Sequence, residues 1–292
     1  MRKGILLVLA AVVAVTVTVV IATGSGGDDV VSHCDSVAAA EPDARGREAI
    51  EKARAALLAT GAGPVLGMSV VDLDDCAEVL SWKEHAATPS ASVVKLLIAL
   101  DRLDRSGVPG GAGAEQLERM LAASDDAVAS RMWSEGGGPA IVRRQAAALG
   151  LADTRPPEDP GQWGDTRISP ADVTTVYRYL ASELDSDERV FLTEALGGIS
   201  EHAADGFGQF FGVAAEEVHP LLAKQGWGSS AGRRVLNTTG VVRDGHLFAV
   251  ALLTTWPKSI GWDDAKAALT QAAKAALAST TKPSPVPTWA AH

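Results

Sequence analysis

The spacing of apolar residues changes period several times along the chain, and each change marks a new element. From Asp43 to Thr60 apolar positions fall at helical intervals (Ala44, Ile50, Ala53, Leu57) and the run stops at Gly61, which predicts a helix. The period then shortens, so that Val65 to Leu73 and Ala77 to Trp82 read as two strands joined at Asp74-Asp75. Helical spacing returns over about Ser92 to Ser106, Ala114 to Ala123, Asp125 to Trp133 and Ala140 to Leu149, the last two separated by Gly136-Gly137-Gly138-Pro139. From Gly150 to Ser169 no period holds, and the Pro, Gly and Asp content marks a long loop, a class of segment that often carries function. Pro170 suits the first turn of a helix reaching about Leu184, and another spans Asp187 to Leu196. Strands follow at Leu221 to Trp227, Arg234 to Val242 and His246 to Thr255, the last two joined by a strong hairpin signal, Asp244-Gly245. An Ala-rich helix over about Trp262 to Ser279 precedes a Pro-containing tail, and no internal repeat is visible.

This order predicts a mixed α+β fold. An antiparallel sheet of about five strands is assembled from both ends of the chain and flanked by terminal helices, and the helical middle forms a second lobe. The domain layout is a segment at 1–29, a catalytic domain at 30–281 and a tail at 282–292. Within the domain, 40–91 and 215–281 build the α/β lobe and 92–214 the helical lobe. A cleft between the lobes collects residues from both.

Composition sharpens this picture at three points. With 292 residues and 47% hydrophobic content the chain can bury a sizeable core, and 5% aromatic content with abundant Ala favours small-residue helices over an all-β sandwich. A formal net charge of −10 and no basic patch argue against a nucleic-acid partner. Third, the uncharged apolar run from Ile5 to Thr23, preceded by Arg2 and Lys3 and followed by Gly24-Ser25-Gly26-Gly27-Asp28-Asp29, is an export element. Its length matches a bilayer core, which favours an uncleaved anchor over a removed signal peptide, with the rest of the chain outside the cell membrane. No cysteine follows the run directly, which disfavours a lipoprotein. Cys34 and Cys76 both fall in the exported part, where a disulfide between the N-terminal segment and the first hairpin is the expectation and two unrelated thiols the alternative.

The candidate chemistry lies in three short groups in order: Ser92-Val93-Val94-Lys95, Ser124-Asp125-Asp126 and Lys224-Gln225-Gly226. Ser and Lys at i and i+3 share a helical face, so the Lys95 amine can stand beside the Ser92 hydroxyl and take its proton without a histidine. Alone, Ser92 reads equally well as a helix cap. The six histidines (His33, His85, His202, His219, His246, His292) show no ligand spacing, so no metal or cofactor is expected. The Phe residues of 205–212 are expected to pack under the sheet, and Trp227 to line the cleft edge.

Taken together, the three groups and their contexts resemble the penicillin-recognising serine hydrolases, the class A β-lactamase-like branch that also resembles D,D-peptidases, over about Leu57 to Ser279. The resemblance implies Ser92 as nucleophile, Lys95 as its base, Ser124 as proton relay, and Lys224 as partner of Ser124 and of a substrate carboxylate. It implies oxyanion donors in the backbone N–H groups of Ser92 and Trp227, with Asp126, Gln225, Gly226 and Trp227 contacting substrate. Four departures stand out. Asp126 replaces the usual Asn; Gln225 replaces a hydroxyl residue; the stretch between Ser92 and Ser124 is short; and Thr154-Arg155-Pro156-Pro157-Glu158-Asp159-Pro160 lacks the Glu-x-x-Leu-Asn signature of the family's long loop. Glu158 is the nearest candidate to activate a deacylating water, against a plain reading as a solvated carboxylate. The implied function is an exported serine hydrolase, acylated at Ser92 by β-lactam or peptidoglycan-type amides and slow to deacylate. The alternative is a binding module that keeps the cleft to hold a cell-wall peptide or partner.

Overall fold

A computed structural model describes residues 42–280; the apolar run over 5–23, Cys34 and the tail 282–292 lie outside the described residues. The chain opens with α1 (Ala44–Leu58), capped by Asp43 accepting from the Gly46 N–H. Strands β1 (Val65–Asp72) and β2 (Glu78–Trp82) form the predicted hairpin. Cys76, in its turn at a φ of 60°, is disulfide-bonded. The short strand β3 (Thr88–Pro89) leads into the helical region: α2 (Lys95–Ser106), α3 (Ala112–Ala122), α4 (Asp126–Glu135), α5 (Pro139–Leu149), then the short strand β4 (Arg167–Ile168), α6 (Pro170–Ser182) and α7 (Ser186–Gly197). The chain returns to the sheet with β5 (Leu222–Ala223), β6 (Gly226–Ser230), β7 (Arg233–Asp244) and β8 (His246–Pro257), and ends the described part with α8 (Trp262–Leu277).

The sheet is antiparallel in the order β2-β1-β8-β7, with β5 and β6 sharing the outer edge of β7. It thus joins the two ends of the chain, as the element order predicts. Strand β8 lies at its centre, and its residues alternate between two cores. Phe248, Val250 and Leu252 face α1 and α8, while Ala249, Ala251 and Leu253 face the helices α2 to α7. Burial on both faces explains the strand's unbroken hydrophobic run from Phe248 to Leu253. The layer beneath holds Ala53 and Leu57 of α1 against Ala265, Ala272 and Ala276 of α8, where small side chains let two helices share one face of the sheet.

Three elements differ from expectation. The strand predicted over Leu221 to Trp227 is interrupted, because Lys224 and Gln225 turn their side chains to separate buried sites. The nucleophile helix begins as a 3-10 turn, Ala91–Val94, and becomes α-helical only at Lys95. The long loop 150–169 is ordered rather than irregular. Its neck is closed by reciprocal Arg155 and Arg167 backbone hydrogen bonds of 2.9 Å each, and β4 pairs with β3. Buried Asp172 at the start of α6 accepts from the Thr154 hydroxyl at 2.6 Å and the Asp153 N–H at 2.9 Å, stapling the loop to the helix. Asp172 in turn has its pKa raised, chiefly by burial.

Candidate active site

Three parts of the fold converge on one buried polar cluster. Ser92 sits in the 3-10 turn just after Ala91, whose φ of 46° lies in the left-handed region. Ser124 precedes α4 with a φ of 51°. Non-glycine residues seldom adopt such angles, and their cost is carried by the surrounding contacts. Asp125 supplies one of these: it caps α4 through the Ala127 and Val128 N–H groups at 2.8 and 3.0 Å and pairs with Arg119 at 2.6 Å. Lys224 comes from the interrupted edge strand, where its backbone N–H donates to the Thr239 carbonyl at 2.9 Å.

The Lys95 ammonium is the hub. It donates to Ser92 Oγ at 2.9 Å, to the Ser124 hydroxyl at 2.9 Å, to the Ser124 carbonyl at 2.7 Å and to Asp126 Oδ1 at 2.5 Å. Lys224 reaches the other side of the Ser124 hydroxyl at 3.0 Å and the Gln225 carbonyl at 3.2 Å. Both lysines are fully buried. Burial pulls the Lys95 pKa below its ordinary value, opposed by the Asp126 carboxylate. Lys224 is held well below its ordinary value, first by burial and then by the neighbouring Lys95 charge. An unbroken line therefore runs from Ser92 Oγ through Lys95 and Ser124 to Lys224, suited to moving a proton away from one hydroxyl and toward another.

Gly226 explains how the edge strand gets close enough. A Cβ there would lie 2.7 Å from the Ser90 carbonyl oxygen and 3.3 Å from the Ser92 backbone nitrogen. Asn237 on β7 reinforces the approach: its side-chain amide donates to the Pro89 and Ser90 carbonyls at 3.1 Å each, and its oxygen accepts the Thr254 N–H at 3.0 Å. Above Ser92 opens a cleft of about 380 Å³ whose lining includes Asp126, Ser130, Trp163, Asp165 and Trp227.

Of the residues singled out in the sequence, Ser92, Lys95, Ser124, Lys224, Asp126, Gly226 and Trp227 are brought together here. Gln225 is not part of the cleft lining; its buried amide turns the other way, to the Gln209 carbonyl at 3.2 Å and the Phe211 carbonyl at 2.5 Å. Glu158 is exposed on the loop and is likewise absent from the lining. Phe207, from the aromatic-rich segment, stacks on Trp227 at 4.7 Å between ring centres. Trp163 is the residue that sequence reasoning missed. Its ring centre is 5.0 Å from the Lys95 ammonium, and its indole N–H donates to Ser130 Oγ at 3.2 Å. A lone tryptophan in a Pro- and Gly-rich loop was the available signal. Away from the cleft, Asp72, Asp75 and His246 cluster at the sheet's far end, where His246 Nδ1 and Asp72 Oδ2 are hydrogen-bonded at 2.7 Å.

With this geometry in place, comparisons with solved structures are informative. The TLA-3 extended-spectrum β-lactamase matches 81% of this chain and 99% of its own, with a TM-score of 0.68 and 14% identity. A β-lactamase from Chitinophaga pinensis covers 80% of this chain and 99% of its own with a TM-score of 0.65 and 14% identity. A class A representative from Bacteroides cellulosilyticus covers 80% and 99% with a TM-score of 0.62 and 15% identity. The fold is therefore β-lactamase-like. No family model matches the chain. Proteins described as "Putative lipoprotein LppW" in Mycobacterium bovis and Mycobacterium tuberculosis are 30% identical over 227 residues, spanning 74% of this chain and 70% of their own length. This chain belongs to the LppW family.

Proposed function

We propose that the protein is an extracytoplasmic serine acyl-transfer enzyme of the β-lactamase and D,D-peptidase type, acylated at Ser92. The observation that carries this reading is Lys95 donating to both the Ser92 and Ser124 hydroxyls at 2.9 Å inside a buried site, with Lys224 on the far side of Ser124. In its neutral form Lys95 accepts the Ser92 proton as Oγ attacks a carbonyl. The Ser124 hydroxyl, bridging the two amines, passes a proton to the leaving nitrogen. The backbone N–H groups of Ser92 and Trp227 are assigned to the developing oxyanion, an arrangement that the close approach at Gly226 supports. Outside the membrane is the compartment that fits the N-terminal apolar run, the disulfide at Cys76 and the lipoprotein description of the relatives.

Deacylation is the weak step in this arrangement. The loop places Trp163 beside Lys95 and Asp165 in the cleft lining, while Glu158, the carboxylate singled out to activate a water, stays outside it. Without Glu158 over Ser92 the adduct is expected to persist. Intact-mass measurement with a neutral fluorophosphonate and a set of β-lactams tests the reading. A single adduct, absent from Ser92→Ala, is expected; modification that survives Ser92→Ala overturns it. A specific contact favours a second reading. Asp126 at 2.5 Å from Lys95 stabilises the charged amine, which is the wrong state for a base. A module that only holds its ligand in the cleft gives no adduct with any reagent.

The same contact sets a pH dependence. Asp126 raises the Lys95 pKa against the lowering effect of burial, and a base works only when deprotonated. Acylation therefore rises with pH as Lys95 loses its proton. Asp126→Asn removes the raising charge, lowers the Lys95 pKa and shifts this limb to lower pH. The variant is expected to acylate faster than the parent at neutral pH, with the two rates converging at alkaline pH where both amines are neutral. An unmoved pH limb would show that Lys95 is not the titrating base.

A further inference from the structure

The charged residues of the cleft lining have one sign. The lining contains the carboxylates Asp126 and Asp165 and no lysine or arginine. A third, Asp205, stands at its edge, held by the Trp227 indole N–H at 3.0 Å. Asp126 is committed to Lys95, whereas Asp165 and Asp205 have no ion-pair partner among the described residues. The two lysines nearest the chemistry are fully buried behind the lining and already surrounded by acceptors.

The arginines on β7, at the loop neck and on α4 are engaged elsewhere. On β7, opposite Ser229 and Ser230, Arg233 donates to the Thr255 hydroxyl at 3.1 Å and carbonyl at 3.0 Å, and Arg234 lies 4.4 Å from the Trp262 ring centre. At the neck of the long loop, Arg155 donates to the Thr154 carbonyl at 2.7 Å and Arg167 to the Ala87 carbonyl. On α4, Arg131 donates to Gln116 at 2.9 Å. Gln225, which stands where the resemblance expects a hydroxyl residue, is buried and donates to the Gln209 carbonyl instead. A bound carboxylate would meet unpaired like charges with no counter-charge in the lining, and like-charge juxtaposition at a binding surface is unfavourable.

We infer that this cleft takes acyl donors that carry a positive charge, an ammonium or amidinium close to the scissile carbonyl, and discriminates against donors that carry a carboxylate there. The inference rests on acyl transfer at Ser92 for its chemistry, but its charge preference is a property of the cleft and can be read without any reaction. Asp165, on the loop wall beside Trp163, is the residue assigned to the cation, with Asp205 adding to the potential at the opposite edge.

Two measurements test it on the full chain. The first is calorimetric binding of phenylpropylammonium and phenylbutyrate to Ser92→Ala, where no acylation can occur. The ammonium is expected to bind about tenfold more tightly at low ionic strength, a preference that shrinks as salt screens the exposed carboxylates. Asp165→Asn is expected to reduce the preference severalfold, with circular dichroism confirming that the variant is folded. Equal binding, tighter binding of the carboxylate, or a preference indifferent to Asp165→Asn overturns the inference. The second is acylation of the unaltered protein by matched p-nitrophenyl esters ending in trimethylammonium, tert-butyl or carboxylate groups. In this step the Ser92 Oγ–acyl bond forms, p-nitrophenolate leaves, and the Ser92 proton passes to Lys95. Fastest acylation by the ammonium ester is expected, and fastest acylation by the carboxylate ester overturns the charge preference while upholding the serine mechanism. Ammonium binding without acylation by any ester upholds the charge preference and removes the serine mechanism.

Discussion

Lys95→Ala is expected to slow acylation of Ser92 by about 10²- to 10⁴-fold, the range in which a positioned general base contributes. The variant removes the only amine within hydrogen-bond distance of Ser92 Oγ among the described residues. Lys224, the other amine, contacts Ser124 at 3.0 Å and reaches Ser92 only through that hydroxyl and Lys95. The fold should survive. The carboxylate that loses its partner, Asp126, has a side chain 63% exposed, so water hydrates it, and a buried ammonium that was costly to desolvate disappears. Time courses of p-nitrophenolate release and acyl-adduct mass with a p-nitrophenyl ester, alongside thermal melts, check both parts. A variant that melts like the parent and acylates within a few fold of it would remove Lys95 from the mechanism. The pH profile adds a separate signature, because the rising limb that Asp126→Asn displaces should vanish when the titrating amine is absent.

Gly226→Ala has the second-largest expected effect, by a steric route. The added methyl would sit 2.7 Å from the Ser90 carbonyl and 3.1 Å from Val93 Cγ2. The first of these is backbone, so relief requires β6 to move away from the nucleophile turn rather than a side chain to rotate. That motion separates the Trp227 N–H from the Ser92 N–H, and the loss of one oxyanion donor typically lowers the rate by about 10²- to 10³-fold. Binding of a cationic ligand should change far less, since Asp165, the residue assigned to it, lies on the loop wall. Acylation within threefold of the parent in a folded Gly226→Ala protein would show that the strand's close approach is not part of the chemistry.

Much of this was readable along the chain. The hairpin at Asp244-Gly245, the β1–β2 pair, the helix boundaries near Gly61 and Pro170, and the Ala-rich last helix were all located within a few residues, because they depend on local period and turn chemistry. Ser92, Lys95, Ser124 and Lys224 were named from short ordered groups. What those groups could not convey is direction. Gln225 and Lys224 are neighbours in sequence, yet one side chain enters the polar cluster and the other contacts the Phe211 carbonyl, because the strand breaks between β5 and β6. Trp163 carries no motif, and its place beside Lys95 follows from a loop neck closed by Arg155 and Arg167 and anchored through Thr154 to Asp172.

The amino-acid order alone determined the elements, the class of fold and the identity of the hydroxyl and amine groups, since each is written in local spacing or in residue chemistry. Only the tertiary structure decided that Lys95 pairs with Asp126, that Gln225 leaves the cleft, that Arg131, Arg155, Arg167, Arg233 and Arg234 are engaged elsewhere, and that the lining is left acidic. Those outcomes depend on contacts between residues distant along the chain, such as Lys95 and Asp126 or Asn237 and Pro89. Such contacts form when the packing of both faces of the sheet fixes which side of each strand and loop is turned toward the site.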